Sequence, residues 1–302
     1  MADNKIKKFF EKESTQGWAM IFPNTIGLVV FYLIPICWSI LLAFFEWNGL
    51  SKMKFINIEN FLNLFHDSLF IHSIRNTFIY SLVVVPAILL IVIIFGAFLS
   101  KEDIFDVKNL RTLFFLPLMT MPVAATLVWK WLLNLDYGLI NKILTIMNLD
   151  PIPWLSDSRY VLISIIFIGI WLGVAYDLII IISGIKGIPK IYYEAARIDG
   201  ASPFRQFTSI TLPLLSPSIF FILITQLISC FQVFDSAFII LGADPAMGIK
   251  NAASTIVMSI YENGFVYFKM GYSSAQSFIL FLIILTITVI QFRVQKRWVH
   301  YA

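Results

Sequence analysis

The stretch VLISIIFIGIWLGVAYDLIIIISGI, at positions 161–185, decides the fold, and its only charged residue is Asp177. An α-helix rises about 1.5 Å per residue and the hydrocarbon of a bilayer is about 30 Å thick, so roughly 20 mainly apolar residues can cross it. Working outward, five further stretches meet that requirement, at 21–45, 77–99, 113–133, 212–241 and 275–292. Barrel strands would instead show about ten residues of alternating polarity, not unbroken runs of Ile, Leu, Val and Phe. The whole chain is 59% apolar and 13% charged, about half the charge of an ordinary soluble domain. These patterns predict an all-α integral membrane protein with six transmembrane helices.

An even number of spans leaves both termini on one side, and Lys and Arg in the loops mark the cytoplasmic side. Residues 1–20, 100–112, 186–211 and 293–302 hold 14 of the 22 Lys and Arg. Both termini and the 186–211 loop are therefore expected in the cytoplasm. The expected organisation is an N-terminal segment (1–20), one six-span domain (21–292) and a C-terminal tail (293–302). The net charge of +4 is accounted for by this bias and requires no nucleic-acid partner. Lys5, Lys7, Lys8 and Lys12 precede an apolar run as in a secretory signal. That run is too long, however, and ends in Phe44-Phe45-Glu46-Trp47 without a small-residue cleavage site, so it reads as a retained first span.

Cys37 and Cys230 lie inside apolar stretches and imply no disulfide framework, while His66, His72 and His300 are too scattered for a metal site. Tryptophans 18, 47, 131, 154 and 298 fall near span ends, as interfacial anchors do. Residues 138–147 carry Leu139, Ile140, Ile143, Leu144 and Met147 at helical spacing, an amphipathic segment suited to the membrane interface.

Between the fourth and fifth stretches stands Glu194-Ala195-Ala196-Arg197-Ile198-Asp199-Gly200-Ala201, followed by Ile210-Thr211-Leu212-Pro213. Pro189 suits the first turn of a helix, where its missing N–H costs nothing. Ile191, Tyr192, Ala195 and Ile198 then approximate one face, leaving Lys190, Glu194 and Arg197 more exposed. Gly200 can adopt the left-handed conformation that ends a helix. Ser202-Pro203 supplies a cap and a first residue for a second helix. The loop thus predicts helix, glycine turn, helix, with a small knob at its tip. No G-x-x-x-x-G-K-[ST] phosphate cradle occurs in the chain.

The pattern E-A-A-x3-G-x9-I-x-L-P resembles the cytoplasmic loop of binding-protein-dependent ABC importer permeases, whose coupling helix docks into a groove on an ATPase subunit. Glu194, Ala195, Ala196, Asp199, Gly200 and Ala201 would make that contact. Phe115-Leu116-Pro117 with Trp129, Gly138 and Asn141, the run Trp171-Leu172-Gly173, and Gly271-Tyr272-Ser273-Ser274-Ala275 are similar to the carbohydrate-importing, maltose-permease-like branch. Leu241-Gly242-Ala243-Asp244-Pro245 departs from the Thr-x-Gly-Gly-Pro turn common in that branch.

The resemblance implies a type I importer permease in a bacterial or archaeal inner membrane. Its partners would be a second homologous permease, two ATPases that bind ATP and Mg, and an extracytoplasmic sugar-binding protein. The chain itself would be no enzyme, would carry no cofactor or metal, and would form half of the path for an oligosaccharide or glycoside. Sugar contacts carried over by position fall on Gly169, Leu172, Gly173 and Tyr176, and on Gln226, Ser229, Cys230 and Val233. The second set is spaced i, i+3, i+4, i+7, one face of a helix. Asp177 joins them as an acid deep in a span, where charge is expensive and marks function. It also carries an alternative, an ion-coupled secondary transporter or channel with Asp177 as the coupling acid. Asp235, near the outer end of its span, reads as interfacial.

Overall fold

The computed structural model describes residues 13–100, 114–242 and 246–300. The basic segment with Lys5 to Lys12, the loop with Lys101, Lys108 and Arg111, the turn Ala243-Asp244-Pro245, Leu113 and the last two residues lie outside the described residues. Five helices among those described are long and apolar enough to cross a membrane: Gln16–Leu42, Ser68–Leu99, Val161–Lys186, Ser216–Leu241 and Met270–Gln295.

The stretch at 113–133, expected as the third of six spans, is not one continuous helix. A 3-10 turn occupies Leu116–Met119, Thr120 is extended (φ −99°, ψ 141°), and an α-helix runs only over Pro122–Leu132, 11 residues. Pro122 pushes the residue before it out of the helical region, and Met121 accordingly has φ −65° and ψ 131°. The fifth stretch is also interrupted. Its helix stops at Phe231 and resumes at Asp235, with Phe234 at φ −133° and ψ −59°. Backbone groups freed inside a membrane need partners, and here the Thr255 hydroxyl donates to the Val233 carbonyl at 2.9 Å.

Packing divides the chain into two units, Met1–Leu64 with Glu262–Phe278, and Phe65–Tyr261 with Ile279–Ala302. In the first unit α1 (Glu13–Leu28) passes through a π turn (Val29–Leu33) into α2 (Ile34–Leu42). A hairpin of β1 (Phe45–Glu46) and β2 (Lys54–Phe55) follows, then α3 (Glu59–His66). The buried Asn60 amide donates to the carbonyls of Ala43 (2.9 Å) and Phe45 (3.0 Å). A Cβ at position 271 would strike the Phe45 carbonyl, which accounts for the glycine that begins the Gly271-Tyr272-Ser273-Ser274-Ala275 motif.

The second unit contains α4 (Ser68–Leu99), α5 (Pro122–Leu132), α6 (Leu139–Ile146), α7 (Val161–Lys186), α8 (Lys190–Ile198), α9 (Pro203–Gln206), α10 (Ser216–Phe231), α11 (Asp235–Leu241), α12 (Met247–Ala253) and α13 (Ile256–Tyr261); α14 (Met270–Gln295) ends in it. Asp67 caps α4 by accepting from the Leu69 and Phe70 amides at 2.9 and 3.2 Å. Its core lies along α4 and α7, where Val84, Ile88 and Val92 are buried in one cluster with Ile165, Ile168, Leu178 and Ile181. Gly96 brings the two backbones close, since a Cβ there would meet Ile181 Cγ2 at 2.5 Å. The buried Asn76 ties α4 to the C-terminal end of α12 by donating to the Asn251 (2.9 Å) and Ser254 (3.1 Å) carbonyls.

Two motif residues find structural roles in this unit. Asn141 is buried and bonds to the backbone of Ile152 in both directions, at 3.0 Å each. Gly138 has the Asn134 and Leu132 carbonyls where a Cβ would stand. Trp18 and Trp131 are exposed, as anchors would be. By contrast, Trp154 packs against Tyr160 and Trp298 against Phe220, so these two stabilise the fold itself.

Candidate functional site

Two regions of the second unit bear the residues singled out by sequence. The first is the 186–211 loop. Its helix α8 begins after Pro189, which stands one residue before the helix with φ −59° and ψ 130° rather than inside its first turn. The helix ends as anticipated. Gly200 has φ +76°, the Ala201 amide bonds to the Ala196 carbonyl (2.8 Å) and the Gly200 amide to the Arg197 carbonyl (3.1 Å). These are the paired bonds of a Schellman turn, which satisfies carbonyls that would otherwise be orphaned. Ser202 then caps α9 by accepting from the Arg205 amide at 3.4 Å, with Pro203 as the first helical residue.

The face of α8 expected to be apolar is apolar, and it is uncovered. Ile191, Tyr192, Ala195 and Ile198 are all exposed, Ile198 at 87%. Tyr193 and Ala196 are instead the half-buried pair, and Tyr193 shares a hydrogen bond with Thr211 at 2.9 Å. Thr211 closes a π turn, Phe207–Thr211, that leads through Leu212–Leu214 into α10. Glu194, Ala195, Asp199 and Gly200 are exposed, Ala201 is half-buried, and a Cβ at Gly200 would meet nothing within 4 Å.

The second region is a cavity of about 470 Å³ between α4, α5, α7 and the broken fifth span. Gly169, Leu172 and Gly173 of α7 line it, facing Gln226, Ser229 and Cys230 of α10 and Val233 of the break. Seven of the nine residues expected at the solute path thus line the same cavity. The other two do not line it. Tyr176 lies about one turn further along α7 and is 53% exposed outside the cavity. Asp177 is fully buried behind the wall, where its Oδ2 accepts from Gln226 Nε2 at 2.6 Å while Oδ1 has no partner. The two glycines let α7 approach, since a Cβ at Gly169 would meet the Tyr80 hydroxyl and one at Gly173 would meet Ile88 Cδ1 at 2.5 Å and Gln226 Nε2 at 3.3 Å.

Further lining residues escaped the sequence reading: Tyr80, Thr126, Gln232, Phe234, Asp235 and Ser236 among them. A signal for several existed, because Gln226, Ser229, Gln232 and Asp235 recur every third residue. The helix break turns Asp235 onto the cavity rather than out to the interface. Tyr80 and Thr126 come from other spans and carry no such signal.

A helix interrupted beside a cavity within apolar spans is an arrangement suited to holding and releasing a solute. Residues 70–300 match the model of the binding-protein-dependent transport system inner membrane component family. The chain belongs to that family. As such it is a transport subunit of the inner membrane, not an enzyme. A probable ABC transporter permease protein, YesP of Bacillus subtilis (strain 168), is 34% identical over 300 residues, covering 98% of this chain and 96% of that one. The sn-glycerol-3-phosphate transport system permease protein UgpA of Shigella flexneri is 31% identical over 293 residues, covering 94% and 95%. The fold also matches that of a chain in the crystal structure of a bacterial ABC transporter involved in the import of the acidic polysaccharide alginate. The TM-score is 0.82 at 22% identity, covering 97% of this chain and 99% of that one.

Proposed function

We propose that this permease forms half of the path by which an ATP-driven importer moves a carbohydrate, an oligosaccharide or glycoside, into the cytoplasm. The observation that carries this reading is the uncovered apolar face of α8 beside a rigidly terminated helix tip. An exposed Ile198 and Ile191 gain from burial, and a groove on an ATPase subunit is the surface that would bury them. Glu194, Ala195, Ala196, Asp199, Gly200 and Ala201 form the docking tip. Two ATPases bind ATP and Mg, and a second homologous permease completes the path. An extracytoplasmic binding protein delivers the solute, as in the alginate transporter crystallised with its pentasaccharide-bound periplasmic protein. The loop charges support termini and docking tip in the cytoplasm.

Gly169, Leu172, Gly173, Gln226, Ser229, Cys230 and Val233 contact the solute in this reading, with Asp177 acting from behind them. Amide and hydroxyl groups on an otherwise apolar wall suit a sugar's hydroxyls and ring faces. The test is co-purification of the tagged chain with an ATPase, followed by solute-stimulated ATP hydrolysis in vesicles. A chain that carries solute without any ATPase would overturn the reading.

A further inference from the structure

The described lining of the cavity carries no cationic side chain to hold an anion. Phosphates and carboxylates are held by Arg, Lys or converging N–H donors. Among the described lining residues there is no Lys or Arg, and the one ionisable acid, Asp235, is exposed at the first turn of α11. The neighbouring cation, Lys130 of α5, gives its ammonium to the Ile239 carbonyl of α11. Among the described lining residues, Gln226 is the amide whose orientation another side chain fixes. A glutamine can present either donor or acceptor, but its Nε2 is drawn to the Asp177 carboxylate at 2.6 Å. A carboxylate only accepts, so the amide's NH2 turns inward and its carbonyl oxygen is left to the cavity. Asp177 is fully buried with its second oxygen unpartnered, a costly arrangement to keep for packing alone.

We propose that Asp177 is a positioning residue. It orients Gln226 so that the wall accepts hydrogens from the hydroxyls of an uncharged sugar, and together with Asp235 it turns away solutes bearing phosphate or carboxylate. This rests on the cavity being the solute path, and it specifies the solute class within that reading. It also separates this chain from the sn-glycerol-3-phosphate and alginate systems it resembles, whose solutes are anionic.

The experiment uses the assembled transporter in vesicles with internal ATP. The probes are labelled neutral di- to tetrasaccharides, matching uronate-containing oligosaccharides, and glycerol 3-phosphate. Neutral probes should be carried and anionic ones neither carried nor competitive. Asp177→Leu should raise KM for the neutral probe about tenfold with kcat within about twofold, and should let the uronate compete. Asp177→Asn, whose carbonyl can still accept from Gln226, should restore KM to within about threefold. Asparagine behaving like leucine would overturn the positioning role, and carriage of an anionic probe by the wild type would overturn the selectivity. Ser229→Trp, which fills the cavity, separates the two levels. If it blocks uptake while Asp177→Leu changes nothing, only this inference fails; if uptake survives it, the path itself is wrong. Glutamine-selective ¹⁵N spectra, with Gln226→Met for assignment, need no solute. One Gln226 amide proton should lie downfield in the wild type and with Asp177→Asn, and move upfield with Asp177→Leu; no such resonance in the wild type overturns the proposal.

Discussion

The tip of the 186–211 loop and the wall of the cavity are built on opposite plans. The tip is made from consecutive residues of one short helix, its apolar face uncovered, its end fixed by Gly200 and local backbone bonds. The wall is assembled from four segments, with glycines on one side, polar groups on the other, and a helix break between. The difference teaches where each region gets its order. The tip is closed by bonds between neighbouring residues and leaves apolar surface for the proposed partner to bury, whereas the wall rests on the core behind it and, as the proposed path, would offer a solute only a few polar groups.

Placing charge on the uncovered face should have the largest effect. Ile198→Asp with Ile191→Asp would carry two carboxylates into any surface that buries α8, so co-purification of the ATPase should be lost while membrane insertion persists. Retention of the ATPase by this variant would break the contrast at once. Gly200 sharpens the same point, because open space surrounds its Cβ position and only the backbone angle opposes substitution. Gly200→Val should cost about 1–3 kcal/mol locally and uncouple ATP hydrolysis from uptake. Gly200→Asn, which tolerates a positive φ, should keep most of the coupling.

Gly173→Leu attacks the wall instead, forcing a side chain against Ile88 and Gln226. Uptake should fall severely with ATPase retention unchanged, and a fall in both would mean that the two regions are not separable. Thr255→Val removes the donor to the Val233 carbonyl at the helix break. A loss of about 1–3 kcal/mol, read as a lower Tm in detergent, is expected, since a part-buried carbonyl loses its partner. Tyr193→Phe, which removes the 2.9 Å bond to Thr211, should cost the least, about 0.5–1.5 kcal/mol, and reduce coupling only partly.

The same contrast explains what the sequence revealed. The tip was legible because its determinants are neighbours in the chain: Gly200, Ser202 and Pro203 each act within a few residues. Only the start was displaced, with Pro189 outside the helix rather than in it. The spans at 161–185 and 77–99 were legible from hydropathy alone, yet the stretch at 113–133 was not, because hydropathy counts apolar residues and is blind to Pro122 turning Met121 extended. At the wall, the resemblance pointed to Gln226, Ser229, Cys230 and Val233, whose helical spacing agrees with their lining one cavity, but neither could show which turn of α7 that cavity reaches. Tyr176 therefore fell outside it and Asp177 behind it. The contributions of Tyr80 and Thr126 depend on packing between spans, which no local pattern encodes.

The most direct test of ATP-driven import is uptake of the binding-protein-delivered solute into vesicles holding the full complex, with the proton gradient collapsed and ATP supplied. Uptake should persist, should vanish with Ile198→Asp and Ile191→Asp together, and should survive Asp177→Asn with only a change in affinity. Uptake that stops when the gradient is collapsed although ATP is present, and that Asp177→Asn also abolishes, would contradict import powered through the α8 tip and make Asp177 a coupling acid instead.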